Sequence, residues 1–208
     1  MYDHARTTSI RRRLIRGAAL GAVLTGLFAS SVSAATVQVS ANDTRTFSPQ
    51  SVTVAPGSSV HWTASGVDDH SATQDQGLFN SGLPAPNLDF TRTFSAGTFA
   101  YHCEKHGVDG MRGVVRVAPQ VLTAPTGLPF TVRWATTTQT GNRFDVQYRV
   151  GSGAWRNWFS DTSARSAVFG SRSRPVRLVR GKSYSFRVWS QAGTNRSGVS
   201  PVKSFTAR

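Results

Sequence analysis

Three residue types that bind metals lie close together between Cys103 and Met111. Cys103 is the only cysteine of the chain, His106 follows three residues later, and Met111 comes five residues after that. A thiolate, an imidazole and a thioether are the donors that soft copper selects, and two histidines with one cysteine and a weak axial methionine form an electron-transfer copper site. The alternative interpretation is a buried free cysteine with unrelated neighbours. The residue types favour a copper loop that needs one more histidine from elsewhere in the chain.

The second histidine has several candidates. His4 lies in an N-terminal segment that is interpreted below as a signal, and His61 lies between Val60 and Trp62 on the opposite face of an expected strand. His70 lies in a loop well before Cys103, and sheet packing in a sandwich can bring two such loops together. An isolated loop histidine is usually solvated, but beside a complete set of other donors His70 is the favoured ligand.

Short alternating segments surround this loop and must position it. They are separated by turns rich in Gly, Pro and Ser, which predicts strands in an antiparallel β-sandwich, and no stretch between them has a sustained helical period. The copper loop then connects the last two strands of the first sandwich. The expected strands of this part are 36–40, 51–55, 59–63, 90–94, 98–103 and 113–117.

The N-terminus has the order of an export signal. Four arginines between Arg11 and Arg16 precede an apolar run from Gly17 to Phe28, and small residues follow to Ala34. This order predicts a signal peptide over residues 1–34, either of the twin-arginine type or of the general secretory type. The mature protein is then expected in the periplasm or outside the cell, without a transmembrane segment, since no later apolar run reaches the ~18 residues of a membrane span. In such an oxidising compartment a lone thiol is protected if a metal occupies it.

Charge divides the chain unevenly. The formal net charge is +14, yet residues 35–119 hold five basic and seven acidic residues, whereas residues 120–208 hold fourteen basic and two acidic ones. The basic part is expected to attract an anionic cell-surface polymer, although an Arg-rich solvated surface would have the same composition. Nucleic acid is not an expected partner, because export and the lack of any base-reading motif argue against it.

The first half resembles a known family. The matching residues run from Gly77 to Gly82, include Phe90 and Phe94, and continue through 97–103 to His106, Met111, Gly113 and Val115. They resemble the plastocyanin and azurin type of cupredoxin over roughly residues 36–118, and a cupredoxin domain is assigned to 35–118. The resemblance implies a Greek-key β-sandwich with one type 1 (blue) copper per chain, held by His70, Cys103 and His106 with Met111 as the long axial ligand. Lys105, where the family often has Pro, and Ser71, where it often has Asn, depart from the pattern without removing a ligand.

The second half resembles a different sandwich. After a linker over 119–126, some seven short strand-like segments follow in residues 127–208, and Phe144, Val146 and Tyr148 share one face. Trp134 and Tyr184 resemble the core tryptophan and the corner tyrosine of a fibronectin type III domain, which implies an immunoglobulin-like β-sandwich. The fold class expected for the whole chain is therefore all-β. Trp155 and Trp158 are expected to pack in this half, with a carbohydrate-stacking surface as the alternative.

Together these features predict an exported one-electron carrier that is not an enzyme. The resemblance implies that His106 passes the electron to redox partner proteins. The neighbouring charges of Glu104, Lys105 and Asp109 either influence which partner binds or are ordinary solvated side chains. His102, beside Cys103, resembles a histidine that binds a second copper in copper oxidases, but the chain has no His-x-His pair and no second cupredoxin domain to complete such a site. The alternatives are an envelope protein that buffers copper without a redox partner, and a scaffold whose copper site is vestigial.

Overall fold

The computed structural model describes residues 34–122, 129–136 and 141–207. These residues form strands joined by turns and one short 3₁₀ helix at Gly107–Asp109, so the expected all-β fold class is confirmed. No helix in this described part of the chain is long and apolar enough to cross a membrane. The predicted signal peptide, residues 1–34, lies outside the described residues apart from Ala34.

The first half contains two four-stranded sheets. One has the order β2-β1-β4-β6 and the other β3-β8-β7-β5, and apolar residues from both sheets, such as Trp62 and Val115, meet in one buried core. Alternation explains this, since Val60 and Trp62 point inward while His61 points outward. The strands are β1 (Thr36–Asn42), β2 (Thr46–Ser48), β3 (Ser51–Val54), β4 (Ser59–Ser65), β5 (Thr73–Gln74), β6 (Asp89–Thr93), β7 (Gly97–His102) and β8 (Arg112–Val117).

Two strand pairs of the first half depart from the expected antiparallel pairing. Strand β1 pairs with β4 in parallel, and β3 pairs with β8 in parallel, while the remaining pairs of these two sheets are antiparallel. The cause lies in the connections: β2 and β3 belong to different sheets, so the chain crosses between the sheets before β4 returns beside β1. Alternation along single strands carries no information about such a crossing.

The second half has its own sheets and its own core. Its sheets have the orders β13-β10-β9 and β12-β11-β14-β15, with β16 paired to β14, and their inner faces bury Trp134, Phe169 and Phe186. The strands are β9 (Gln120–Leu122), β10 (Phe130–Arg133), β11 (Asn142–Val150), β12 (Arg156–Thr162), β13 (Ser166–Phe169), β14 (Ser183–Ala192), β15 (Asn195–Arg196) and β16 (Lys203–Thr206). Strand β9 begins inside the stretch interpreted as a linker, and residues 123–126 of that stretch lie outside the described residues.

The two cores meet at the start of strand β7. Thr98 and Gly198 exchange two backbone hydrogen bonds of 3.0 and 2.8 Å, and the Ala96 N–H donates to the Trp134 carbonyl at 2.7 Å. The Ser190 hydroxyl donates to the Ala96 carbonyl at 2.8 Å. Strand β7 is therefore held by the second half at its beginning and leads to Cys103 at its end.

Candidate metal centre

Three of the predicted ligands lie together. His70, Cys103 and His106 are buried, and their potential ligand atoms all lie within 4.8 Å of one another. Cys103 Sγ is 3.7 Å from His106 Nδ1, and the two imidazole rings are 5.2 Å apart between centroids. Among the described residues this is the one cluster of such side chains that could hold a metal ion.

His70 is the clearest test of whether the cluster fits a metal. Its side chain is fully buried, yet neither ring nitrogen has a hydrogen-bond partner among the described residues. Buried polar atoms are nearly always paired, and an unpaired one is costly. Burial lowers the pKa of His70, and the neighbouring His106 lowers it further, so the ring is kept in the neutral form that binds metals. With a thiol and a second imidazole beside it, the donor set fits copper.

Met111 belongs to the same loop. Its side chain is fully buried in the first core. The Cys103 N–H donates to the Met111 carbonyl at 3.1 Å, and the Met111 N–H donates to the His106 carbonyl at 3.1 Å. These two bonds close the loop between β7 and β8 and bring Met111 back beside Cys103. Axial ligation by Met111 stays a prediction.

Asp43, in the turn between β1 and β2, holds the loop that carries His70. Its carboxylate accepts the N–H groups of Val67 and Asp68 at 3.0–3.1 Å, and these bonds lower the pKa of Asp43. Gly66 lies directly against this carboxylate at φ +131°, where a side chain would have no room. The pattern of the sequence does not reveal Asp43, because nothing in the local spacing links a turn to a loop more than twenty residues away.

Two side chains join this loop to the cysteine loop. The Ser71 hydroxyl accepts the Glu104 N–H at 3.0 Å, and Lys105 forms a 2.9 Å ion pair with Asp69. The Ser71 hydroxyl thus lies on the amide of the residue that follows Cys103. The two loops are thus fastened to each other on either side of the donors.

The charges predicted to flank His106 all have partners. Asp109 pairs with Arg45 at 2.9 Å, Lys105 pairs with Asp69, and the Glu104 carboxylate accepts hydrogen bonds from Thr73 and Asn80. Apolar residues, in contrast, are exposed on the two ligand loops, where Val67 and Val108 are 84% and 95% exposed. Leu83, on the connection between β5 and β6, is 86% exposed, two residues before Ala85, which pairs with His70. The loops around the donors are therefore held by ion pairs and hydrogen bonds, and part of their exposed surface is apolar.

The other two described histidines lie outside the cluster. His102 Nδ1 is 2.7 Å from Asp75, whose second oxygen is 3.4 Å from Arg112. His61 Nε2 is 2.6 Å from Asp89. Each ring faces a carboxylate rather than the donors of the buried cluster.

Comparison with known proteins identifies relatives of the first half. The chain is 31% identical over 127 residues to the chloroplastic plastocyanin of Physcomitrium patens, covering 55% of this chain and 76% of the relative. It is 32% identical over 83 residues to the plastocyanin of Scenedesmus fuscus, covering 34% of this chain and 85% of the relative. The structure of oxidised plastocyanin from Dryopteris crassirhizoma matches 39% of this chain and 99% of that chain, with 22% identity and a TM-score of 0.34. No family model matches the chain.

Proposed function

This chain belongs to the plastocyanin family, and we propose on that premise that it is an exported type 1 copper protein that carries single electrons between redox partner proteins. One copper ion per chain would be held by His70, Cys103 and His106, with Met111 as a weak axial ligand. The observation that supports this most directly is the buried donor cluster, in which neither nitrogen of His70 has a hydrogen-bond partner among the described residues.

The residues around the donors favour electron transfer over exchange of the metal. Bound copper would supply a one-electron couple. The chain's part is to hold the donors still: Ser71 and Lys105 fasten the two loops together, and Asp43 and Arg45 fasten both to the β1–β2 turn. A donor set that moves little when the charge changes keeps the barrier to electron transfer low. The same bracing slows release of the ion, which a copper buffer would not require.

His106 is the proposed route for the electron. It is 4% exposed, the largest value among the three donors, and it begins the loop that carries the exposed Val108. Val67 and Val108, exposed on the two ligand loops, offer apolar contacts to a partner. Such redox complexes are small and short-lived, so a modest patch is sufficient.

The test is the visible absorption spectrum of the protein after Cu(II) is added, with Cys103→Ser as the control. We expect an intense visible band that the substitution abolishes, because the colour arises from the bond between thiolate and copper. Cyclic voltammetry should then give reversible one-electron cycling with the copper retained. A colourless protein that binds copper weakly would contradict the carrier function, and rapid copper exchange with no reversible couple would support the buffering alternative.

For the second half we propose a fibronectin type III-like domain that serves in docking or surface attachment. The Tyr184 hydroxyl accepts the Val179 N–H at 2.8 Å and donates to the Arg177 carbonyl at 3.3 Å, as a corner tyrosine does. Trp134 and Trp158 pack in the core of this half with ring centroids 5.9 Å apart. The excess of basic residues supports attachment to an anionic polymer of the cell envelope.

A further inference from the structure

An open groove of about 240 Å³ lies at the edge of the second half. One wall comes from β11 and β12, and the other comes from the chain between β13 and β14. The groove is lined by Tyr148, Asn157, Trp158, Arg174, Pro175 and Val176. It therefore combines aromatic rings, an amide and a guanidinium, and it has no carboxylate in its lining.

Arg174 in this lining belongs to a stretch of five cations between β13 and β14. Arg172, Arg174, Arg177, Arg180 and Lys182, here called the basic segment, are all exposed, and none has a carboxylate within 4.0 Å among the described residues. The two acidic residues of this half form ion pairs with other arginines, Asp161 with Arg143 and Asp145 with Arg196. The positive charge of the basic segment is thus uncompensated within the described fold.

Arg174 is held in place before any ligand arrives. Its guanidinium lies over the Phe159 ring at 4.1 Å from the centroid, and one of its nitrogens donates to the Trp158 carbonyl at 2.7 Å. A guanidinium carries five N–H donors in a planar fork, so this bond leaves donors for an anion. Stacking and hydrogen bonding fix the side chain, which reduces the entropy lost when it binds.

The composition of the surface distinguishes between anionic partners. Insertion into a lipid surface uses exposed aromatic or leucine side chains beside the basic ones. In the described part of the second half, the exposed large apolar residues are one leucine and several valines, none above 46% exposed, and only Val179 lies within the basic segment. A groove with a tyrosine ring and an asparagine amide instead suits the faces and hydroxyls of sugar rings.

We propose that this groove and the basic segment bind an acidic polysaccharide, with Arg174 at the anionic group and Tyr148 and Asn157 against the sugar. The site refines the attachment role proposed for the second half and does not involve the copper donors. Because the first half has more acidic than basic residues, a polyanion would attract the second half and repel the first. The bound protein would then present its metal centre away from the polymer.

The experiment measures binding of the full protein, with and without copper, to heparin fragments at physiological ionic strength, where exposed charges interact over only ~8 Å. Arg174→Gln should raise the dissociation constant about tenfold, because a charge-assisted contact inside the groove is lost. Lys203→Gln removes the same charge from β16, which pairs with β14 on the side of the sheet away from β12, and should change it less than about twofold. Arg174→Gln also removes the hydrogen bond to the Trp158 carbonyl, so the melting temperature of this variant must be checked. Arg177→Gln is therefore measured as a second variant.

The outcomes separate the alternatives. Binding to heparin but not to uncharged dextran, weakened by Arg174→Gln and Arg177→Gln and not by Lys203→Gln, supports the site. Equal weakening by all three substitutions would mean diffuse attraction and would overturn it. Equal or tighter binding to phosphatidylglycerol vesicles with the same dependence on Arg174 would assign the surface to membranes instead. Binding is also measured without copper. A negative binding result would therefore not contradict the electron-carrier proposal, which the absorption spectrum tests separately.

Discussion

Ser71 is a small side chain with a large effect on the geometry of the donors. It follows His70 directly, is fully buried, and its hydroxyl accepts the N–H of Glu104, the residue after Cys103. One hydrogen bond therefore sets the distance between the loops that carry the first histidine and the cysteine.

We expect Ser71→Ala to loosen the centre without removing a donor. The Glu104 N–H loses its acceptor, which should lower the free energy of unfolding by about 1 kcal/mol. The copper-loaded variant should also release its ion to a chelator several-fold faster than the unmodified protein, because the loops are no longer joined there. Urea unfolding of the copper-free protein measures the first effect, and the decay of the visible band measures the second.

Ser40→Ala is the matched control for this substitution. The Ser40 hydroxyl shares a 2.7 Å hydrogen bond with Ser65 in an exposed position, and neither residue is a proposed donor. It should leave the rate of copper release unchanged. Equal release rates in Ser71→Ala and the unmodified protein would show that Ser71 does not position the donors.

At this scale the sequence indicates the three clustered side chains His70, Cys103 and His106 better than the residues that support them. Cys103, His106 and Met111 have types and spacings that a metal loop requires, and His70 follows from the need for another imidazole. Asp43 and Arg45 have no such signal. Their contacts with Val67 and Asp109 join residues 24 and 64 positions apart, and each depends on where the β1–β2 turn comes to lie.

Among the strands, β7 and β8 fit together at a single glycine beside the metal loop. Gly113 on β8 lies opposite Tyr101 on β7, and a methyl group on Gly113 would overlap the tyrosine ring. Tyr101 is 1% exposed and lies edge-on to Phe47 and Trp62, so its ring has no free space to move into. Glycine at this position leaves room for the Tyr101 ring, so the aromatic core extends to the end of β7.

Gly113→Ala should therefore destabilise the first half. Overpacking of a dense core costs about 1–3 kcal/mol, and this site lies at the upper end because the overlap is with a ring. Thermal and urea unfolding measure the loss. In a Tyr101→Leu background the same change should cost clearly less, since the ring is gone, and an equal cost in both backgrounds would show that the tyrosine is not the cause.

Asp161 ties three strands of the second half together. Its carboxylate accepts hydrogen bonds from Arg143 on β11 and Gln191 on β14, while it lies on β12 at φ +49°. The bond from Arg143 holds the pKa of Asp161 below its ordinary value, and the bond from Gln191 lowers it further. A depressed pKa means that the charged form stabilises the fold above the pKa of the unfolded chain, and that this contribution is lost as the pH falls through the folded pKa.

We expect Asp161→Asn to be less stable than the unmodified protein at neutral pH and to approach its stability in acid. Asparagine tolerates the left-handed backbone at this position, so the change isolates the charge. Urea midpoints measured from pH 7 to below about pH 4 give the comparison, since an aspartate in an unfolded chain titrates near pH 4. In an Arg143→Gln background the pH-dependent difference should largely vanish. A difference that stays constant with pH would contradict the role of the charge.

Strand positions were predictable wherever four or more residues alternate. Strands β4, β11 and β14 correspond closely to the segments that alternation predicts, 59–63, 143–150 and 183–190, because one face of each packs into a core and the other meets solvent. The segments β2, β5, β9 and β15 were not expected. Each has only two or three residues, which is too short for a pattern, and each exists because a neighbouring strand offers it backbone partners.

For the molecule as a whole, the contacts between the two halves bear on whether the halves unfold together. Thr98 in β7 exchanges two backbone hydrogen bonds with Gly198, and Ala96 just before β7 donates one to the Trp134 carbonyl. The Asn195 side chain donates to the Gly77 carbonyl at 3.0 Å. Contacts between residues about a hundred positions apart have no signature in composition or spacing, so this junction was not predictable. It couples the strand that leads to Cys103 to the core of the second half.

Coupling of this kind predicts that strands β4 and β14 open together. Amide hydrogen exchange followed by mass spectrometry can compare peptides from the two strands, since amides that exchange only by global unfolding report one shared free energy. Ser190→Ala removes the 2.8 Å bond to the Ala96 carbonyl and should lower that free energy by about 1 kcal/mol in both peptides equally. Ser171→Ala, which removes an exposed hydroxyl pair with Ser173, should change neither. If Ser190→Ala speeds exchange in β14 and leaves β4 unchanged, the halves unfold separately. In that case the second half supports the metal centre only by holding the beginning of β7 in the folded protein, and it adds nothing to the stability of the first core.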